Sequence, residues 1–151
     1  MSRLQRAFTA VRLVNAQQEV RVPMGRMRAL AAFAVQKLRI RAPGMIEITF
    51  LGKQAMRRLN RRHKRHDWVT DVLSFRYESE GPSAISTVGE ILIAPSQARA
   101  YAKQAGLNET QELGRYVVHG LLHWLGYEDR TEHEQRLMRK REDRLLCGFG
   151  L

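Results

Sequence analysis

Apolar and polar residues along the chain follow two different periods, which predict a mixture of strands and helices. Short runs in which apolar residues alternate with polar ones are typical of strands, and such runs lie at residues 11–16, 45–50, 71–77 and 90–94. Longer segments with apolar residues three or four positions apart are typical of amphipathic helices. These segments lie at residues 23–38, from residue 52 onward, and at 95–104, 108–125 and 131–146.

Residues at the ends of these segments support the predicted order. Asn108 and Thr131 are suited to cap helix N-termini, whereas Gly106 and Gly126 are suited to end helices. The loop at 80–83 joins two short strands, which are expected to pair as neighbours. The order β-α-β-α-β-β-α-α-α predicts an α+β fold. We expect a single domain over residues 1–151, with a small mixed sheet of about four strands packed with about five helices.

Length and composition are those of an ordinary globular domain. The chain has 151 residues, of which 44% are hydrophobic and 27% charged, and a chain of this size usually forms one core. Its longest stretch without a charge or a turn residue, 29–36, is far too short to cross a bilayer. The N-terminus lacks the features of a secretory signal, and the single Cys147 cannot form an internal disulfide. We therefore expect a cytoplasmic protein without a membrane span.

Positive charge is concentrated in the first part of the chain. The formal net charge is +11, yet residues 1–66 hold 16 Lys and Arg against two acidic residues, Glu19 and Glu47. Such a concentration favours a polyphosphate partner, because each phosphate contact releases condensed counterions. A solvated helix face or attraction to anionic lipid would produce the same pattern. The densest cluster, hereafter the basic segment, consists of Lys53, Arg57, Arg58, Arg61, Arg62, Lys64 and Arg65.

The helix predicted at 108–125 is apolar on nearly all sides, yet it contains His119 and His123. Residues four apart lie about one turn from each other on one helix face, so both imidazoles can reach a common ion. Gly126 and Asp129 complete the spacing H-x-x-x-H-x-x-G-x-x-D, in which the glycine permits a sharp turn back toward the histidines. Two imidazoles and one carboxylate match a catalytic zinc site with an open position. His119, His123 and Asp129 are therefore the predicted metal ligands.

Other interpretations of these residues stay open. His119 and His123 could be core histidines that bond to backbone carbonyls, and Asp129 could simply begin the last helix. Glu128 and His133 are rival third ligands. His133 lies within the segment that caps the last helix, so we expect it to face solvent.

The residue after the first histidine is Gly120. Metalloproteases with a related helix contain H-E-x-x-H, in which the glutamate is the general base. Without that glutamate, a metal-bound hydroxide would need another proton acceptor. Peptide hydrolysis is therefore disfavoured.

Two segments of the chain resemble the signature motifs of the YbeY family of bacterial zinc-dependent endoribonucleases. Residues 119–129 read H-G-L-L-H-W-L-G-Y-E-D, which is similar to the family's H-G-x-L-H-L-x-G-Y-D-H. Residues 59–75 read L-N-R-R-H-K-R-H-D-W-V-T-D-V-L-S-F, which is similar to L-N-x-x-Y-R-G-K-D-x-P-T-D-V-L-S-F. Residues 89–93 are similar to the family's G-D-I strand, so the resemblance covers most of the chain in the right order.

The resemblance implies a single YbeY-like metallohydrolase domain with a metzincin-like zinc helix. It implies an endoribonuclease specific for single-stranded RNA, which uses one Zn²⁺ ion and acts in 16S rRNA 3′-end maturation and ribosome quality control. Its partners would be RNA of the small ribosomal subunit and ribosomal or assembly proteins, with no membrane involved. On this basis His119, His123 and Lys64 are expected to be catalytic, and the basic segment is expected to bind RNA.

Two functional positions depart from the family pattern. Asp129 stands where the family has its third histidine ligand, and Lys64 stands where the family has an arginine thought to contact the RNA phosphate. A carboxylate ligand should make a metal-bound water less acidic than a third imidazole would. Lysine keeps the positive charge but loses the bidentate fork of arginine, and Arg62 or Arg65 could take its place.

Two other functions are compatible with the same motifs. The first is a ribosome-binding or RNA-binding assembly factor whose zinc is structural and whose catalysis is weak or absent. The second is a metalloprotease, which Gly120 and the concentrated positive charge disfavour. Retention of zinc without any RNA product would favour the first function, and casein cleavage without RNA cleavage would favour the second.

Overall fold

The order of elements in the structure is the order that the hydrophobic pattern predicts. A computed structural model describes residues 7–64, 71–78 and 86–151, and for residues 63 and 64 it describes the backbone alone. The loop predicted at 80–83 therefore lies outside the described residues. Within these ranges the strands are β1 (Ala10–Ala16), β2 (Met45–Leu51), β3 (Val72–Arg76) and β4 (Thr87–Ile93). The helices there are α1 (Met24–Lys37), α2 (Lys53–Lys64), α3 (Pro95–Ala105), α4 (Glu109–Trp124) and α5 (Glu132–Phe149). The predicted α+β fold is therefore confirmed.

The four strands form one mixed sheet in the order β1-β2-β4-β3. β1, β2 and β4 run parallel to one another, whereas β3 pairs antiparallel with β4 at one edge. The predicted pairing of the two short strands is thus confirmed. Asp71 immediately precedes β3, and its carbonyl accepts a hydrogen bond of 3.1 Å from the backbone N–H of Ala94, just after β4. Asp71 therefore lies at the end of the sheet where the parallel strands have their C-termini.

Each face of the sheet is covered by different helices. Alternate residues of β2, among them Ile48 and Phe50, are fully buried in the main core together with residues of α1, α4 and α5. Met56 of α2 packs instead in a smaller cluster with residues of β3 and β4. Ile91 and Leu92 are neighbours on β4 but belong to the main core and to the smaller cluster respectively. Because successive strand residues point to opposite faces, α4 and α2 lie on opposite sides of the sheet.

The predicted helix ends are confirmed by their hydrogen bonds. The side chain of Asn108 accepts a bond of 2.9 Å from the backbone N–H of Gln111 at the start of α4. The hydroxyl of Thr131 accepts a bond of 3.1 Å from the backbone N–H of Glu134 at the start of α5. Gly106 ends α3 in the left-handed conformation, with φ 69°.

Two element boundaries differ by three residues from the sequence-based expectation, whereas the others agree within one residue. β4 begins at Thr87 rather than at residue 90, because Gly89 gives no apolar signal but leaves room for the indole of Trp124. The indole N–H of Trp124 donates a bond of 2.9 Å to the carbonyl of Val88, which anchors the end of α4 on this strand. α5 continues past residue 146 to Phe149, and Gly150 ends it in the left-handed conformation.

Gly120 allows α4 to approach the sheet closely. A Cβ atom at this position would overlap Cγ2 of Ile91 on β4 and would lie 3.3 Å from Cγ1 of Val72 on β3. A side chain here, including the glutamate of H-E-x-x-H proteases, would push α4 away from the sheet. Packing therefore supplies a reason for glycine at this position of the histidine motif.

We expect Gly120→Ala to lower the free energy of unfolding by about 1–3 kcal/mol, the usual cost of overpacking a core. Gly25→Ala is a matched control, because Gly25 also lies in a helix but a Cβ there would meet no heavy atom within 4 Å. The control should leave stability unchanged or raise it slightly, since alanine favours helices more than glycine does. Urea unfolding measures both effects, and equal stabilities of the two variants would contradict the close packing of α4.

Candidate metal centre

His119 and His123 of α4 both face the carboxylate of Asp129. Nε2 of His119 lies 3.6 Å from Oδ2 of Asp129, and Nε2 of His123 lies 3.4 Å from the same oxygen. The centroids of the two imidazoles are 4.4 Å apart, and their planes are nearly perpendicular at 80°. In the described ranges, these residues form the one group of three or more His, Cys, Asp or Glu whose ligand atoms all lie within 4.8 Å of one another. The structure thus brings the three predicted ligands to one point.

The donor atoms and their spacing fit a zinc ion. A tetrahedral zinc with bonds of about 2.0–2.1 Å would separate its ligand atoms by about 3.3–3.4 Å, close to the distances of 3.4 and 3.6 Å found here. The side chains of His119, His123 and Asp129 are 21, 25 and 37% exposed, so solvent reaches the group. Three protein ligands with access from solvent could hold a metal ion with an open coordination position.

The turn after α4 returns Asp129 to the two histidines. The backbone N–H of Gly126 donates to the carbonyl of His123 at 2.9 Å, and that of Tyr127 donates to the carbonyl of Leu122 at 3.1 Å. Gly126 has a φ of 105°, which side chains other than glycine rarely adopt. The side-chain N–H of Gln135 on α5 donates to the carbonyl of Asp129 at 3.1 Å. These bonds hold the backbone on which the third predicted ligand lies.

The rival third ligands lie outside this group. The carboxylate of Glu128 pairs with Nε of Arg130 at 3.2 Å, and both side chains are exposed. His133 is exposed in the first turn of α5, as expected for a residue of the capping segment. The geometry therefore favours Asp129 over Glu128 and His133 as the third ligand.

Glu142 of α5 is a site residue that the sequence interpretation missed. Its Oε2 lies 2.5 Å from Nδ1 of His119, the ring nitrogen that faces away from Asp129. Burial of the imidazole lowers the pKa of His119, but the hydrogen bond and the negative charge of Glu142 raise it more, so the pKa lies above its ordinary value. The available signal was a glutamate on the apolar stripe of α5, among the buried residues Met138, Leu145 and Leu146.

Arg115 connects the same carboxylate to two further acidic residues. Its Nη1 lies 3.1 Å from Oε1 of Glu142, and its Nη2 lies 2.8 Å from Oδ1 of Asp143. Its Nε lies 3.9 Å from Oε2 of Glu112, one helix turn earlier on α4. Arg115 precedes His119 by four residues, so both side chains lie on one side of α4. This ionic group joins α4 to α5 directly behind His119.

A cavity of about 320 Å³ adjoins the predicted ligands. Its walls come from α3, α4, α5, the turn between α4 and α5, and the residue before β3, and they include both acidic and basic side chains. The walls are formed by Asp71, Tyr101, Glu112, Arg115, Tyr116, His119, Asp129, Gln135, Met138, Arg139 and Glu142. The cavity offers space for a substrate beside a bound metal ion.

α2 carries the described part of the basic segment. Its apolar side contains the buried Met56, while five cationic side chains on its other sides are exposed, namely Lys53, Arg57, Arg58, Arg61 and Arg62. Lys64 is the last residue of α2, but its side chain and the whole of Arg65 lie outside the described residues. The expected amphipathic character of the helix is therefore confirmed. Within the described ranges, no helix is long and apolar enough to span a membrane.

Comparisons with known proteins identify the family of the chain. The profile of the family described as "Endoribonuclease YbeY" matches residues 12–150. The protein of that name from Thermodesulfovibrio yellowstonii is 34% identical over 93% of this chain and 97% of its own length. The protein of that name from Geobacillus thermodenitrificans is 36% identical over 70% of this chain and 73% of its own length. The solution structure of TM1509 from Thermotoga maritima matches the fold with a TM-score of 0.61. The match covers 92% of this chain and 91% of TM1509, at 20% sequence identity, and supports the fold. The chain therefore belongs to the YbeY family of endoribonucleases.

Proposed function

We propose that this chain is a zinc-dependent endoribonuclease that cleaves single-stranded RNA. One observation carries the proposal: Nε2 of His119, Nε2 of His123 and Oδ2 of Asp129 converge beside an open cavity, in a chain of an endoribonuclease family. A zinc ion bound there would act as a Lewis acid on a phosphoryl oxygen and would lower the pKa of its water toward about 7.

The protein's own residues would hold the ion and place the scissile phosphate of the RNA beside it. His119 and His123 present Nε2 from consecutive turns of α4, and Asp129 presents its carboxylate from the turn that follows. The adjoining cavity of about 320 Å³ would accept the nucleotide next to the scissile phosphate. Lys64 would contact that phosphate and offset the negative charge that develops on it during the reaction.

The basic segment would bind the RNA backbone on the other side of the sheet. α2 and α4 cover opposite faces, so a strand bound to both would have to pass around the sheet, and the β3 side is the one against which α2 packs. Lys64 ends α2, and Asp71, which lines the cavity, follows seven residues later. Seven residues span at most about 25 Å even when fully extended. The end of the basic helix is therefore within reach of an RNA strand whose phosphate lies at the metal.

Substrate and cellular role are proposed from family membership together with the charge distribution. The proposed substrate is RNA of the small ribosomal subunit, and the proposed role is 16S rRNA 3′-end maturation and ribosome quality control in the cytoplasm. Ribosomal or assembly proteins would be further partners. The exposed cations of α2 support an RNA partner, because they can neutralise several backbone phosphates at once.

The geometry of the site favours catalysis over the two other functions. Structural zinc sites are closed by four protein ligands, whereas the described part of the chain offers a group of three residues that solvent reaches. A protease would need a general base where Gly120 packs against Ile91. An RNA hydrolase is therefore better supported than an assembly factor with structural zinc or a metalloprotease.

We expect the parent protein to bind one zinc ion and to cleave a labelled single-stranded RNA. His119→Ala and Asp129→Ala should lose both properties, because each removes one of three ligands. His133→Ala is a matched control, since it removes an exposed histidine of α5 and should keep both properties. Zinc content by atomic absorption and RNA products on a sequencing gel measure the two outcomes.

Several results of this experiment would contradict the proposal. A parent protein that holds zinc but yields no RNA product under any metal or salt condition would be an assembly factor. Cleavage of casein without cleavage of RNA would indicate a protease. If Asp129→Ala kept its zinc and His133→Ala lost it, His133 would be the third ligand.

RNA binding should weaken steeply as salt rises, by roughly 0.7 log units of affinity per decade of salt for each single-strand phosphate contacted. Removal of two exposed cations of α2, in the double variant Arg58→Ala/Arg62→Ala, should reduce this slope by about 1.4. The control Lys140→Ala/Arg144→Ala removes two exposed cations with the same spacing from α5 and should leave the slope unchanged. Fluorescence anisotropy at several salt concentrations measures the slopes. A flat dependence for the parent protein would contradict a role for the basic segment.

A further inference from the structure

Glu142 is a charged residue at a position where the fold otherwise buries apolar side chains. It lies on the stripe of α5 that includes Met138, Leu145 and Leu146, and it is 4% exposed. A buried carboxylate is unfavourable unless charged or hydrogen-bonding partners surround it. The partners of Glu142 therefore explain why a glutamate can occupy this position.

Both oxygens of the carboxylate have a partner on α4. Oε2 lies 2.5 Å from Nδ1 of His119, and Oε1 lies 3.1 Å from Nη1 of Arg115. The side chain of Arg115 is only 12% exposed, and its Nη2 is held by Asp143 at 2.8 Å. The carboxylate is thus fixed at both ends and cannot rotate without breaking one of these contacts.

This contact determines which nitrogen of His119 is available to a metal. An ionised carboxylate can only accept hydrogen bonds, so Nδ1 of His119 must carry the hydrogen that it shares with Oε2 of Glu142. The neutral imidazole then has its lone pair on Nε2, the atom that faces Oδ2 of Asp129 at 3.6 Å. Metal-ligating histidines commonly donate their other ring N–H to a carboxylate, which fixes both tautomer and ring orientation.

We propose that Glu142 is a positioning residue for the metal centre, held in place by Arg115. Its carboxylate keeps His119 in the Nδ1–H tautomer and aims Nε2 at the point where Nε2 of His123 and Oδ2 of Asp129 converge. Arg115 fixes the second oxygen and offsets the buried negative charge. The inference rests on the proposed metal site but is independent of whether the chain cleaves RNA.

Zinc affinity tests the proposal directly. Metal-free protein is titrated with zinc against a chelator of known affinity, and Glu142→Ala is expected to bind zinc about 10- to 100-fold more weakly than the parent. Glu142→Gln should show a smaller loss, because its amide oxygen can still accept from Nδ1 but lacks the charge. Asp143→Asn is the matched control, since Asp143 is the next residue, is 57% exposed and contacts Arg115 rather than His119. It should change the affinity by less than about threefold.

The tautomer of His119 separates positioning from simple structural support. In metal-free protein labelled with ¹⁵N, at a pH where the imidazole is neutral, the parent should show the Nδ1–H form of His119. Glu142→Ala should show a mixture of tautomers, whereas Asp143→Asn should retain the parent spectrum. Thermal unfolding of the same metal-free samples shows whether each variant is folded. If Glu142→Ala does not fold, the zinc affinity of Glu142→Gln is the measurement that decides.

The proposal would be overturned by a variant that loses stability but not metal affinity. If Glu142→Ala unfolded at lower temperature while its zinc affinity and His119 tautomer matched the parent, or if Glu142→Gln kept the full zinc affinity of the parent, Glu142 would only stabilise the contact between α4 and α5. A loss of affinity in Asp143→Asn as large as that in Glu142→Ala would likewise overturn it. That result would assign the effect to the general negative charge near Arg115.

Discussion

The close approach of α4 to the sheet determines where the predicted metal ligands of this chain lie. Gly120 packs directly against Ile91, and Trp124 fixes the end of the helix to the carbonyl of Val88. With 100° between successive residues, His119 and His123 then point sideways from the helix, along the sheet rather than into it. Any side chain at 120 would displace this helix and with it both imidazoles. A packing constraint in the core thus sets the geometry of the chemistry.

Polar groups in such an apolar helix need partners, and α5 together with the turn before it supplies them. Asp129 faces the Nε2 atoms of the two histidines, and Glu142 accepts from Nδ1 of His119. Arg115 links Glu142 to Asp143 at the surface. The contacts that provide partners for the polar side chains of α4 are therefore the same contacts that form the candidate site. The exposed cations of the basic segment lie apart from these contacts, on α2 across the sheet.

Local features of the site could be predicted from the sequence because they depend on short spacings. The four-residue interval between His119 and His123, the glycine at 126 and the acid at 129 predicted three side chains around one point, although Glu128 and His133 stayed open as rival third ligands. The cap at Asn108 and the end of α3 at Gly106 were predictable for the same reason, since each depends on one residue and its immediate neighbours. These residues make their decisive contacts within one or two helix turns.

Features that depend on distant parts of the chain could not be predicted. The contact between His119 and Glu142 joins residues 23 positions apart on two helices, and nothing in the spacing of the histidine motif indicates it. The start of β4 was missed because Gly89 owes its place to the indole of Trp124, which is 35 positions away in the sequence. The placement of α2 and α4 on opposite faces depends on which residues of β3 and β4 each helix packs against, and the order of elements along the chain does not determine this.

X-ray absorption at the zinc edge of the metal-loaded protein tests the central claim most directly, because it reports the ligand atoms of the bound ion. The account predicts a first shell of nitrogen and oxygen at about 2.0–2.1 Å, with the outer-shell signal of two imidazoles. Replacement of Asp129 by alanine should remove the ion or alter the oxygen part of this shell. A sulfur ligand at about 2.3 Å from the exposed Cys147, or the signal of three imidazoles, would contradict a centre built from His119, His123 and Asp129.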